Sequence, residues 1–271
     1  MFPKAKKTYG QHFLTDTTVI DKILAAAKLK PGEVVLEIGP GTGVLTQPLL
    51  KTGARVVAVE ADTDLLPVLK KIPGLDLISG DILSLRRADR TLGGRLQAGK
   101  YQLIANIPYY ITSNILEEFL SRPPQPQRLI LMVQKEVADR ILAKPSRMGL
   151  LSVVCQLYAQ VNRVASVPRG AFRPMPKVDS AVIQFDIHDS VAVRPVEDII
   201  ALAKAGFSSP RRQLHRNLAQ AGHGSSENIK QALTSLALRP DARAEMLSTR
   251  DWTNLAQLLQ KSAKKQDTKN V

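Results

Sequence analysis

The tetrapeptide Asn106-Ile107-Pro108-Tyr109 carries more chemistry than any other stretch of this sequence. The amine on a nucleobase has its lone pair delocalised into the ring. To become a nucleophile it needs acceptors that take its N–H hydrogens and draw the nitrogen towards a tetrahedral geometry. The Asn106 side-chain oxygen and the Ile107 carbonyl can supply two of them. Pro108 restricts the backbone so that such a carbonyl can be aimed, and Tyr109 offers a face on which an extruded base can stack. Strongly basic catalysis is then unnecessary. Taken alone, the tetrapeptide reads rather as a Pro-containing strand exit with a packed tyrosine, and the upstream glycine turn is what favours the chemistry.

Upstream, an apolar run ends in Gly39-Pro40-Gly41-Thr42-Gly43 and a helical pattern follows. A strand, glycine turn and helix in that order let a nucleotide-like ligand approach the backbone closely. The glycines fall as GxGxG, with Val44 where a dinucleotide fingerprint would place its third glycine, which disfavours NAD or FAD. Glu60 ends the next apolar run, at the spacing where an acid accepts both hydroxyls of a ribose. Asp81 follows the third run, where it either accepts from an adenine amino group or caps the helix beginning at Ile82.

These side chains need a scaffold that gathers strand ends. Buried strands are predicted at 34–38, 55–59, 75–78, 102–105 and 129–133, with two more at 151–158 and 181–187. Helical periodicity separates them, beginning with Val19, Ile20, Ile23, Leu24 and Ala27 behind a cap at Thr15 or Asp16. Beyond about Asp189 only helical spacing remains (Ile199, Leu202, Phe207; Ile229, Leu233; Leu255, Leu258), which implies a small helical domain. The last ten residues, Ser262 to Val271, have little to bury and are expected to fray.

The chain of 271 residues has 38 Lys and Arg against 24 Asp and Glu, a formal charge of +14 spread over both parts, so a polyanion is the expected partner. One cysteine, Cys155, excludes an internal disulfide, and His12, His188, His215 and His223 show no ligand spacing, so no metal is expected. No apolar run approaches the ~18 residues of a membrane span and no signal core follows the basic N-terminus, so a cytoplasmic protein is expected.

Taken in order, Glu37-Ile38-Gly39-Pro40-Gly41-Thr42-Gly43, Glu60, Asp81 and Asn106-Ile107-Pro108-Tyr109 resemble the motifs of class I S-adenosylmethionine-dependent methyltransferases acting on amino groups. Gly10-Gln11-His12-Phe13-Leu14 and the stretch from Phe172 to Ser180 resemble signatures of the ribosomal RNA adenine N6,N6-dimethyltransferase family. The likeness is strongest to its small-subunit members and runs on through Phe207 to Leu218.

The resemblance implies an α/β, Rossmann-like fold with a seven-stranded sheet. Residues 1–188 would form the methyltransferase domain, with an N-terminal cofactor lid, and residues 189–271 a small helical RNA-recognition domain ending in a frayed basic tail. It makes Gln11, His12 and Leu14 the lid, Gly39 and Gly41 the backbone cradle, Glu60 the ribose partner and Asp81 the adenine partner of S-adenosylmethionine. Asn106 would lie between cofactor and substrate, and Phe172 would stack on the target adenine opposite Tyr109. Arg211, Arg212 and Arg216 would contact RNA, unless they form only a solvated helix face.

The implied activity is methyl transfer to N6 of two adjacent adenosines in a hairpin near the 3′ end of 16S ribosomal RNA, by direct displacement with no covalent enzyme intermediate. Two departures bear on RNA contacts: Met148 where the family more often has Tyr, and Gln213 to Asn217 where it is richer in Arg, Lys and Asn. The rivals are a large-subunit dimethylase of the antibiotic-resistance type and a non-catalytic RNA-binding assembly factor. A dinucleotide-dependent oxidoreductase would leave Asn106-Ile107-Pro108-Tyr109 without a role.

Overall fold

The computed structural model describes residue 6 and residues 9–188 and 196–267, with side chains as far as 260. Its elements in chain order begin with β1 (Phe13–Leu14), α1 (Thr17–Ala27), β2 (Val34–Ile38), α2 (Thr46–Lys51), β3 (Arg55–Glu60), α3 (Leu66–Leu69), β4 (Asp76–Ser79) and α4 (Ile82–Ala88). They continue with β5 (Tyr101–Asn106), α5 (Thr112–Ser121), β6 (Arg128–Gln134), α6 (Lys135–Ile141), α7 (Leu150–Tyr158), β7 (Ala159–Val167), β8 (Phe172–Arg173) and β9 (Ser180–Ile187). Four helices complete the described chain: α8 (Val196–Gly206), α9 (Leu214–Gln220), α10 (Ser226–Ser235) and α11 (Thr249–Asp267).

The large sheet has seven strands in the order β4-β3-β2-β5-β6-β9-β7. The first five are parallel, and β9 runs antiparallel between β6 and β7. The apolar runs of β2, β3, β5 and β6 are buried along nearly their whole length, as strands covered on both faces must be. From β2 the chain winds outward through β3 to β4, then returns to place β5 on the other side of β2. That reversal opens a crevice at the carboxyl ends of β2 and β5, where open α/β sheets bind ligands.

α1 shows how local sequence and packing agree. Asp16 caps it by accepting from Thr18 N, and Val19, Ile20, Ile23 and Ala27 form its buried face. Its last carbonyls, which no helical turn can satisfy, are met from the sheet: Gln102 Nε2 donates to Ala27 O and Arg128 donates to Ala26 O and Ala27 O.

Two expectations are corrected. Residues 151–158 form helix α7, and the seventh strand is the next segment, β7. A short continuous apolar run reads equally as a buried strand or a buried helix. β7 itself is an edge strand that exposes Gln160, Asn162, Arg163 and Ser166 and carries an irregularity between Arg163 and Ala165, so its alternation is broken. The backbone of α11 also continues helical to Asp267, into the stretch 262–271 expected to fray, and residues 268–271 lie outside those described.

The chain divides into two compact units, residues 1–139 with 159–187, and residues 140–158 with 188–271. Residues 140–158, which the sequence places in a 1–188 domain, belong to the second unit because α7 packs on α8 and α11. The expected division after residue 188 borders 189–195, outside the described residues. Trp252 is fully buried in the second unit. Gly206 leaves room for it: a Cβ there would stand 2.5 Å from the indole Cη2.

Candidate active site

In the first unit, a pocket opens at the carboxyl ends of the parallel strands and contains about 1120 Å³ of atom-free space, part of it open to solvent. The glycine turn after β2 forms its floor, and Gly39 N donates to Val59 O across to β3. Gly41 has φ +60°, and a Cβ on it would lie 3.2 Å from the Phe13 ring, so only glycine suits both the backbone and the neighbour. Glu60, buried at the end of β3, braces this floor by accepting from Gly41 N (3.1 Å) and Asp62 N (2.9 Å). Burial raises its carboxyl above the ordinary value against the opposing effect of those two donors.

Glu37 is buried beneath the turn and accepts from the Thr46 hydroxyl at 2.7 Å. Burial pushes its carboxyl up to about 8, and nearby Glu60 adds to the shift. Asp81 caps α4 by accepting from Ser84 N, and it also lines the pocket.

At the end of β5, Asn106 Nδ2 donates to the His12 carbonyl at 3.1 Å. With the amide nitrogen engaged, Oδ1 is left as an acceptor with no protein partner among the described residues, and the Ile107 carbonyl is likewise free. The Tyr109 hydroxyl shares a 2.7 Å hydrogen bond with Ser180 Oγ, and its ring lies nearly parallel to that of His12, 6.1 Å between centroids. His12 Nδ1 lies 2.7 Å from Pro174 O. A carbonyl only accepts, so Nδ1 carries the proton in this contact, a positioning bond.

The segment around His12 forms one wall of the pocket. Gln11 Nε2 donates to Asp62 Oδ2, and Lys6 Nζ lies 2.6 Å from Asp62 Oδ1 and 2.6 Å from Asp64 Oδ2. Burial alone would raise the Asp62 carboxyl, but the Lys6 and Gln11 bonds hold it below the ordinary carboxylate range. Further along, β1 pairs antiparallel with β8, Phe13 opposite Arg173 and Leu14 opposite Phe172.

Gln11, His12, Leu14, Gly39, Gly41, Glu60, Asp81, Asn106 and Tyr109 thus line one pocket. Phe172 does not. Its side chain is 2% exposed and sits in the core with Leu14, Val167 and Val182, so it presents no face to a base in this structure. Pairing of β8 with β1 explains this, since the strand turns the ring inward. Arg211, Arg212 and Arg216 belong to the second unit, all exposed and none in an ion pair among the described residues. Asn217 holds the turn that carries the first two by donating to Gly206 O and Ser209 O.

Asp62, Lys6 and Tyr110 were not singled out from the sequence. Asp62 had a local signal, an acid two residues past a strand end and before a helical turn, which reads only as a cap.

Sheet order, glycine turn and acid-tipped neighbouring strands define a class I methyltransferase. Two solved structures share this fold over nearly the whole chain. A dimethyladenosine transferase from Plasmodium falciparum has a TM-score of 0.79 and 26% identity, covering 93% of this chain and 98% of that one. The 23S rRNA methyltransferase ErmE has 0.72 and 25%, covering 92% and 99%. A family model for ribosomal RNA adenine dimethylase matches residues 2–261, and the chain belongs to that family. The protein of Dehalococcoides mccartyi strain BAV1 named ribosomal RNA small subunit methyltransferase A is 43% identical over 258 residues, 93% of this chain and 87% of that one. The protein of the same name from Thermosynechococcus vestitus is 42% identical over 267 residues, 94% and 97%. Among the described residues no cluster of His, Cys, Asp or Glu could hold a metal ion, and no helix is long and apolar enough to cross a membrane.

Proposed function

We propose that this protein methylates N6 of two adjacent adenosines in a hairpin near the 3′ end of 16S ribosomal RNA, acting in the cytoplasm on the small subunit or its precursor. The observation that carries the chemistry is the pair of unengaged acceptors, Asn106 Oδ1 and the Ile107 carbonyl, at the head of a pocket floored by a glycine turn. The names of the similar curated proteins support the choice of subunit.

The residues fit S-adenosylmethionine: the glycine turn would leave its backbone open to the ligand, Glu60 would hold the ribose, and Asp81 the adenine. When bound, the cofactor supplies a methyl group on a sulfonium, an electrophile that needs no metal. Gln11, His12 and Leu14 cover the pocket and exclude water. Asn106 and Ile107 accept the amine hydrogens, and Tyr109, fixed by Ser180, supports the ring of the target base. Rate then comes from positioning and from hydrogen bonds to the reacting amine.

Transfer of labelled methyl groups to unmodified small subunits, followed by mapping of the modified nucleotides, tests this reading. Transfer to large subunits instead would favour the activity named for ErmE, and no transfer would favour a binding factor. Asn106→Ala should cut the single-turnover rate by about 10²-fold or more while barely changing RNA affinity. A rate near wild type at saturating cofactor and RNA would remove Asn106 from its assigned role.

A further inference from the structure

Tyr109 and Tyr110 are neighbours in the chain with opposite fates. They begin the 3₁₀ turn Tyr109–Ile111, in which successive side chains point about 120° apart. Tyr109 turns inward to Ser180, while Tyr110 is 64% exposed, the most exposed large apolar side chain among the described residues. The Tyr110 hydroxyl has no protein partner there. Tyr110 nevertheless lines the pocket, and its ring lies against the lid at Gly10: a Cβ built on that glycine would stand 3.5 Å from Tyr110 Cδ1 and Cε1. One side of the ring therefore rests on the lid backbone while much of the remainder faces solvent at the mouth.

Two of the other exposed large apolar residues, Met175 at 59% and Val178 at 41%, lie in one loop. That loop is tied to the same site by the His12–Pro174 contact at one end and the Tyr109–Ser180 bond at the other. It also carries exposed Arg173 and Lys177, neither in an ion pair among the described residues. Exposed aromatic and apolar surface interleaved with unpaired cations is the composition that holds single-stranded nucleic acid, bases on the apolar faces and phosphates on the cations.

We propose that Tyr110 is the platform on which the nucleotide next to the target adenosine stacks, with Arg173 and Lys177 holding the adjoining phosphates. The inference rests on the proposed function. A base extruded into the pocket leaves its chain neighbour within one nucleotide's reach of the mouth, where Tyr110 stands. When two adjacent adenosines are modified, one chain neighbour of each target is the other adenosine, a purine with a large face to stack. Phe172, buried in the core, leaves the stacking surface at the mouth to Tyr110.

The test compares wild type, Tyr110→Ala, Tyr110→Phe and Tyr110→Leu in methyl transfer to unmodified small subunits, with S-adenosylhomocysteine binding followed by calorimetry. Loss of one stacked base should raise KM for the RNA roughly tenfold in Tyr110→Ala. Tyr110→Phe should restore it, Tyr110→Leu should not, and affinity for S-adenosylhomocysteine should be the same in all four. A hairpin RNA with 2-aminopurine beside the target adenosine should change its fluorescence on binding wild type and the Phe variant, but much less on binding the Ala variant. If wild type transfers no methyl group, the proposed function fails. If wild type transfers and Tyr110→Ala keeps its KM and fluorescence change, only the platform is overturned. Parallel loss of S-adenosylhomocysteine affinity would overturn it as well, since the ring would then serve the lid.

Discussion

Glu37 illustrates how one buried carboxyl ties the site to stability. It lies under the glycine turn with the Thr46 hydroxyl as its hydrogen-bond partner and Glu60 as a like-charged neighbour. Its ordinary value of 4.5 is raised to about 8 in the fold, first by burial. Between those two values the folded chain holds a proton that the unfolded chain has lost, so stability falls as pH rises through the window. Below the window this group costs nothing, and above it the full cost of a buried charge is present. Glu37→Gln keeps the shape and an acceptor for Thr46 without the titration. The melting temperature of wild type should decline between pH 5 and 8, and that of Glu37→Gln should decline less. Equal slopes in a pH series of thermal melts would show that Glu37 ionises at its ordinary value. Some slope should persist in the variant, because burial raises Glu60 in the same direction.

Among the elements, the two-residue ladder between β1 and β8 does the most for its size. It joins the N-terminal segment to the loop beyond Phe172, and the Thr15 amide and hydroxyl both donate to Ala171 O just beside it. Phe172 fills the core beneath. Phe172→Ala should therefore destabilise the fold by about 3–5 kcal/mol, the usual cost of removing a buried aromatic ring. Urea unfolding of the cofactor-free protein measures this directly. A loss below about 1 kcal/mol, accompanied by a large fall in transfer rate, would instead place the ring against the substrate. The same scale explains the misread segment at 151–158. Its apolar run has no period that separates strand from helix, whereas α1, with a clean face and a cap, was legible residue by residue.

For the whole molecule the governing quantity is the +14 charge. Arg211, Arg212 and Arg216 contribute to it from the second unit with no acid paired to them among the described residues, although Arg212 donates to Gln220 Oε1. Phosphate contacts release counterions, so RNA affinity should fall steeply with salt whatever the base sequence. Replacing Arg211 and Arg212 by Ala should weaken binding of unmodified small subunits and reduce the slope of log K against log salt by roughly 1–2. Filter binding across a salt series reads both quantities. Wild-type affinity and slope in the double variant would make the cluster a solvated helix face and move docking to another basic surface.

Much of this was determined by local sequence. Strands β2, β3, β5 and β6 are apolar runs that only burial on both faces explains, and the glycine turn, Glu60, Asp81 and Asn106 stand at strand ends. Any parallel sheet that reverses at β2 must gather those ends into one crevice, so spacing along the chain was enough to predict a shared site. Tertiary structure decided what depends on partners far away in sequence. Asn106 presents its oxygen because the His12 carbonyl, 94 residues away, engages its nitrogen. Asp62 holds the N-terminal segment through Lys6 and Gln11, Phe172 is core because β8 pairs with β1, and Tyr110 is exposed because Tyr109 takes the inward position. Helix or strand period and side-chain type are properties of neighbours in the chain. Which face of a ring is covered, and which oxygen of an amide is left free, are properties of the packed fold.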